Sequence, residues 1–126
     1  MTQRLLEIVE AMRIRATDRV LEIGCGHGVA ATYVCKQLGS GQLLAIDRSS
    51  KMITAATIRN QEYVRAGKAE FVLADASTFD PGVRRFDKIF GVRVALLLQS
   101  EARNRIERWL KPRGEIFVFY DEPRRR

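Results

Sequence analysis

The sequence predicts a doubly wound α/β fold, in which a mostly parallel sheet carries helices on both faces. Two observations predict it. Strand-length apolar runs at 20–24, 43–46, 71–74, 86–92 and 116–120 alternate with segments of helical spacing or turn character, the alternation of a parallel sheet. Glycine or aspartate then stands at the ends of the first four runs, at Gly24, Asp47, Asp75 and Gly91. Right-handed crossovers gather all strand carboxyl ends on one rim, which is where such sheets bind ligands.

Each element has its own signal. Thr2 is placed to cap a first helix, whose Leu5, Ile8, Val9 and Met12 form one apolar stripe. Asp18 and Arg19 lead into the strand Val20–Gly24. A second helix runs from Gly28 to about Leu38, with Ala30, Tyr33, Val34 and Leu38 on one face, and Gly39-Ser40-Gly41 ends it. Leu43–Ile46 is apolar at every position, as in strands covered on both faces. Ser49 or Ser50 caps a third helix carrying Met52, Ile53, Ala56 and Tyr63 and ending near Gly67. The strand Phe71–Ala74 stops at Asp75, and Asp80-Pro81-Gly82 marks a turn. Phe86–Val92 is a fourth strand, and a helix follows through Ala102, Ile106, Trp109 and Leu110. Lys111-Pro112-Arg113-Gly114 reads as a turn before the fifth strand, Ile116–Tyr120.

Composition narrows the function classes. With 126 residues, 46% of them apolar and only three prolines, the chain fits one ordered domain spanning 1–126. The apolar runs are far shorter than the roughly 20 residues of a membrane span, and Glu7 and Glu10 interrupt the amphipathic N-terminal segment, so a cytoplasmic location is expected. Cys25 and Cys35 are too few for a disulfide framework, and with His27 they match no usual zinc spacing, so no metal is expected. The net charge is +7, carried by eight Lys/Arg against six Asp/Glu in residues 1–63 and fourteen against nine in 64–126. The positives are scattered among acids, without interleaved aromatics that would stack bases, and three of them form a basic tail at 124–126. Nucleic acid is therefore not the favoured partner.

The chemistry concentrates in Val20-Leu-Glu-Ile-Gly-Cys-Gly-His-Gly28. Glycines at 24, 26 and 28 allow a tight turn and a close approach of ligand to backbone. Glu22 is the anomaly: a carboxylate among Val, Leu and Ile is costly unless something pairs with it, which points to a ligand with positive charge or donor groups. Asp47 is placed to accept from two ribose hydroxyls and Asp75 from an exocyclic amine, although each alone also reads as a cap or turn former. A nicotinamide dinucleotide site is an alternative, since Gly26-x-Gly28-x-x-Ala31 is followed by Asp47 about 20 residues on. Glu22 close to a pyrophosphate argues against it.

These segments resemble, in order along the chain, the motifs of the class I S-adenosylmethionine-dependent methyltransferases. Val20–Gly28 resembles their first motif, Ala45-Ile-Asp47 their acidic second-strand end and Leu73-Ala-Asp-Ala76 their adenine-contacting loop. Phe86–Val92 resembles the fourth-strand motif, and Leu110-Lys-Pro-Arg-Gly-Glu-Ile116 the turn opening strand five. The resemblance implies a Rossmann-like domain that lacks the family's usual last two strands, and S-adenosylmethionine as cofactor. It implies that Glu22 and the loop of Gly24, Cys25, Gly26 and Gly28 hold the methionine part. Asp47 would take the ribose, and Asp75 and Ala76 the adenine edge. Gly91 and Val92 would offer carbonyls beside the amino-acid end, with Arg48, Ser49 and Met52 around the adenosine.

The implied activity is methyl transfer to a small-molecule acceptor; the runner-up is a shortened cofactor-binding or interaction module without turnover. No catalytic base is assigned; His27 is a long shot for a base, Arg93 for facing an anionic acceptor, and Tyr120 and Asp121 are similar long shots. An Asn-Pro-Pro-Tyr-like sequence of nucleic-acid amino methyltransferases is absent after strand four. Because Ile116–Tyr120 is apolar on both faces, an edge strand there is expected either to be covered by another chain, for example in a homodimer, or to belong to a shortened protein.

Overall fold

The computed structural model describes residues 2–120, with side chains from Gln3 onward. The expected cap at Thr2 rests on a side chain that is not described, and the long shot at Asp121 and the tail at 124–126 lie outside the described residues. Five strands, β1 (Arg19–Ile23), β2 (Gln42–Asp47), β3 (Ala69–Leu73), β4 (Phe86–Val92) and β5 (Leu110–Phe119), form one sheet of order β3-β2-β1-β4-β5. Every pairing is parallel. The chain steps outward from β1 to β3 and then returns to place β4 against the other side of β1. The strand order therefore reverses between β1 and β4, and their carboxyl ends open a crevice there.

Strand alternation sorts the core into two layers. Val20, Leu43, Ala45, Ala69 and Phe90 face one side, packed by α1 (Thr2–Ala11), α2 (Val29–Gln37) and α3 (Ser50–Arg59) through Val9, Ala31, Val34 and Ala56. Leu21, Ile23, Leu44, Ile46 and Ile89 face the other side, against Leu97, Ile106 and Trp109 from the 3-10 turn Ala95–Leu98, helix α5 (Ser100–Glu107) and the bend after it. Leu21 and Ile89 are fully buried, each worth about 1.5–3 kcal/mol of apolar transfer. By contrast Phe71 and Val72 of β3 and Ile116–Phe119 of β5 are only half-buried. The three central strands thus hold most of the core, and they are the strands that shape the crevice.

Three elements differ from their sequence reading. The single helix expected up to Gly67 is two, α3 and α4 (Gln61–Arg65), because Asn60 at the break turns its side chain into the core. Its amide donates to the carbonyls of Gly28 and Ala56, both at 3.0 Å, and its oxygen accepts from the Thr32 hydroxyl at 2.6 Å. The helix expected through Leu110 ends at Glu107, and Leu110 already pairs with Phe86 in the sheet. Lys111–Gly114 is not a turn ahead of the last strand but an irregularity within it, because Lys88 pairs with Glu115 and the ladder slips between. Gly114 suits the crowded slip: a Cβ there would lie 2.7 Å from the Phe86 carbonyl oxygen.

Candidate functional site

The glycine loop is fastened to the end of β2. The amides of Gly24 and Cys25 both donate to the Ile46 carbonyl, at 2.9 and 3.0 Å, and the amide of Gly28 donates to the Cys25 carbonyl at 3.1 Å. Asp47 completes the fastening. One of its oxygens accepts from the Gly26 amide at 2.9 Å and the other from the Ser49 amide at 3.0 Å. Gly24, Gly26 and Gly28 have φ of 75, 55 and 87°, the left-handed region that L side chains avoid. At Gly28 space is also short, since a Cβ would lie 2.9 Å from that of Ala56.

Above the strand ends lies a cavity of about 540 Å³, bordered by Gly24, Asp47, Arg48, Asp75, Ala76 and Val92 among others. That is within the range of small-molecule sites. Six of the residues expected to bind cofactor thus come together around one space, and Arg93, one of the long shots, borders it as well. The others sit behind it. Cys25 and Gly91 are buried, Gly26 is held by Asp47, Gly28 packs on α3 and Met52 lies half-buried on α3. Gly91 is tight for a different reason, because a Cβ there would lie 2.6 Å from Leu97.

Ser77, Val94 and Leu96 also border the cavity and were not singled out. The stretch after β4 reads as the start of a helix, whereas it forms a 3-10 turn that folds back over the strand ends. Arg93 enables that reversal with φ 59°, and its amide donates to the Phe119 carbonyl at 2.7 Å. His27, by contrast, has an exposed side chain and does not border the cavity.

The electrostatics are set by two carboxyl groups in different states. Asp75 is exposed, and hydrogen bonds from the Ser77 amide at 2.9 Å and the Ser77 hydroxyl at 2.8 Å hold it below the usual carboxylate range. Here the turn-former reading of Asp75 is realised, on the cavity wall. Glu22 is 3% exposed, and its Oε1 makes no hydrogen bond among the described residues. Burial first, and then the charge of Asp47, push it up to about 8. Burial also pushes the Cys35 thiol to about 12 and raises Cys25 further, with Glu22 and Asp47 adding to the effect at Cys25. Such thiols are inert as nucleophiles. Among the described residues no group of three or more His, Cys, Asp or Glu is arranged to hold a metal ion, and no helix is long and apolar enough to cross a membrane.

The donor set fits a cationic nucleoside. A buried carboxyl with one oxygen unpartnered among the described residues and a carboxylate at the end of β2 favour positive charge at the loop, and they oppose a pyrophosphate.

Comparison with known proteins adds an independent observation. A family model described as a methyltransferase domain matches residues 20–114. Phosphoethanolamine N-methyltransferase 1 of Triticum aestivum is 30% identical over 115 residues, covering 89% of this chain and 22% of that protein. The ubiquinone/menaquinone biosynthesis C-methyltransferase UbiE of Pseudomonas putida is 32% identical over 115 residues, covering 88% of this chain and 44% of that protein. Among solved structures, a SAM-dependent methyltransferase from Geobacter sulfurreducens, in complex with S-adenosyl-L-homocysteine, superposes with a TM-score of 0.78 at 22% identity, a likeness of fold. That alignment covers 94% of this chain and 47% of the other. The chain spans less than half the length of each of these proteins.

Proposed function

This chain belongs to the methyltransferase domain family, and from that premise we propose that it binds S-adenosylmethionine in the crevice above β1 and β4 and serves methyl transfer to a small-molecule acceptor. The observation that carries the reading is Glu22, a buried carboxyl with an unpartnered oxygen behind a glycine loop that borders the cavity. Glu22 and the backbone of Gly24, Cys25, Gly26 and Gly28 would hold the methionine part. Asp47 keeps further acceptor capacity beyond its two backbone bonds, which we assign to the ribose hydroxyls. Asp75 and Ala76 are assigned to the adenine edge, Arg48 and Met52 to the surroundings of the adenosine, and Gly91 and Val92 to the amino-acid end.

When bound, the cofactor supplies a methyl group already activated on a sulfonium. The chain then has to align the acceptor and keep water out, which positioning and an apolar wall accomplish without a dedicated base. Val92, Val94 and Leu96 line that wall. We assign no residue to proton abstraction.

Calorimetric titration with S-adenosylmethionine tests the binding, and absence of binding by folded chain would overturn the assignment. A radiolabelled methyl-transfer screen over metabolites, protein and RNA then separates an enzyme from a binding module without turnover. We further assign the β5 edge, where Ile116–Phe119 are half-buried, to pairing with a second copy; a strictly monomeric solution by light scattering removes that assignment. Two free buried cysteines accord with a cytoplasmic location, which cell fractionation checks.

A further inference from the structure

We propose that Glu22 carries a proton before the cofactor arrives and releases it to solvent as the cofactor's positive charge docks, so that uptake exchanges one cation for another. The inference rests on the binding reading above and adds a proton to it.

Among the described residues, the geometry around Glu22 provides no counter-charge. Its strand neighbours are Ala45 on β2 and Phe90 on β4, both fully buried and apolar. From the end of β2 the nearest charge is that of Asp47, a second carboxylate. The loop contributes the Cys25 thiol and α2 the Cys35 thiol, and neither brings positive charge. Tyr63 of α4 lies toward Cys35. Helix α1 and the turn after it present Val9 and Met12 to this layer, and α3 presents Ala56.

Two lysines stand on the same side, and both are engaged. Lys88 of β4 is tied to Asp18 at 2.7 Å, toward the other end of the strands. The Lys68 ammonium donates to the Leu38 carbonyl at 2.8 Å. An ionised Glu22 would therefore be a buried anion beside another anion, with one oxygen unsatisfied. The neutral carboxyl avoids that cost, and burial with the neighbouring Asp47 pushes its pKa up to about 8, so the neutral form predominates at pH 7.

A cation placed at the glycine loop inverts the balance. It favours the ionised form, and in surroundings of low polarity its influence reaches a carboxyl behind the loop. The step balances simply: the O–H bond of the Glu22 carboxyl breaks, its electron pair stays on the carboxylate, and the proton leaves to buffer. Site charge is conserved, because the ligand's positive charge replaces the proton's. S-adenosylhomocysteine, which keeps the ammonium and lacks the sulfonium, is the probe that tests whether the amino-acid end is sufficient.

The experiment is calorimetry at pH 7 in buffers of different ionisation enthalpy, on the wild type and Glu22→Gln. Comparing the two cancels the ligand's own titration. The wild type should release about one proton more than the variant, and its affinity should rise by up to about tenfold per pH unit between roughly pH 6 and 8 relative to the variant. Equal proton release, or parallel pH profiles, would overturn the inference while leaving binding intact. Absence of binding by the wild type would instead overturn the functional reading. The unliganded half stands on a separate measurement that needs no variant: carbon-13 titration of the glutamate carboxyls. One carboxyl should titrate near pH 8; if all titrate in the ordinary carboxylate range, Glu22 is ionised at neutral pH and the inference fails.

Discussion

The two rims of the sheet treat buried carboxylates in opposite ways. At the amino ends of the strands, Asp18 is 1% exposed yet fully answered: the Lys88 ammonium lies at 2.7 Å and the Arg15 amide donates at 2.9 Å. Burial alone would raise its pKa, but those hydrogen bonds and the charges of Lys88 and Arg15 outweigh it and hold Asp18 below the usual carboxylate range. Nearby, Asp87 accepts from the Arg19 amide at 2.8 Å and from Lys111 at 3.1 Å. At the carboxyl ends, Glu22 is equally buried and its Oε1 goes unanswered. One rim satisfies its buried carboxylate from within the chain; the other leaves an oxygen of Glu22 without a partner among the described residues, and it is there that we propose the ligand docks. The same residue class is thus paired at one rim and left partly unpaired at the other.

The largest expected effect breaks the closed rim. Lys88→Met leaves Asp18 buried without its cation and should cost about 3–5 kcal/mol in denaturant unfolding at pH 7. Adding Asp18→Asn should recover much of that loss. Glu22→Gln on the open rim should leave the unliganded chain as stable or more stable at the same pH, because the native carboxyl is already neutral there. Comparable losses from Lys88→Met and Glu22→Gln would erase the contrast. Next comes Gly28→Ala, which forces a side chain into φ 87° and against Ala56; a loss of about 2–4 kcal/mol is expected. Asp47→Asn should weaken S-adenosylmethionine binding by about 1.5–3 kcal/mol, or roughly 10- to 150-fold, by calorimetry. The smallest effect is at the solvated margin of the closed rim. The Lys111–Asp87 pair is partly exposed, and Lys111→Ala should change stability by no more than about 1 kcal/mol.

The contrast also has a pH signature, with signs that follow from the two shifts. Asp18 has a lowered native pKa, so its contribution is present above the unfolded value and is lost as pH falls through the native one, on the acid side of 3.8. Glu22 has a raised native pKa, so its contribution is full below the unfolded value and is lost as pH rises from 4.5 through about 8. Stability measured against pH should lose much of its limb below 3.8 in the Asp18→Asn, Lys88→Met double variant and its decline between 4.5 and about 8 in Glu22→Gln.

Much of the open rim was legible because it is written locally. Glycines at 24, 26 and 28, and acids at 22, 47 and 75, are read from residues next to apolar runs, and the parallel-sheet crossover rule brings those run ends together. What was not legible depends on distant partners. Nothing near Asn60 announces that its amide will bond Gly28, 32 residues earlier, and so split a helix. Nor does Arg93 announce a left-handed backbone, which brings Val94 and Leu96 over the cavity and depends on a bond to Phe119. At β5, Lys-Pro-Arg-Gly carries a strong turn signal. The sheet absorbs it as a slip in the ladder because Leu110 and Glu115 both find partners on β4.

Asn60 has a consequence for modularity. A segment from β1 through α2 contains every glycine of the loop, yet the carbonyl of Gly28 and the hydroxyl of Thr32 are held by an amide that enters from the break between α3 and α4. The loop is therefore not a portable cassette. Grafted alone onto another sheet, it would carry its left-handed glycines without the clamp that selects one conformation among those glycine permits. A transplant would have to bring Asn60 with it, and the helix break that points it inward.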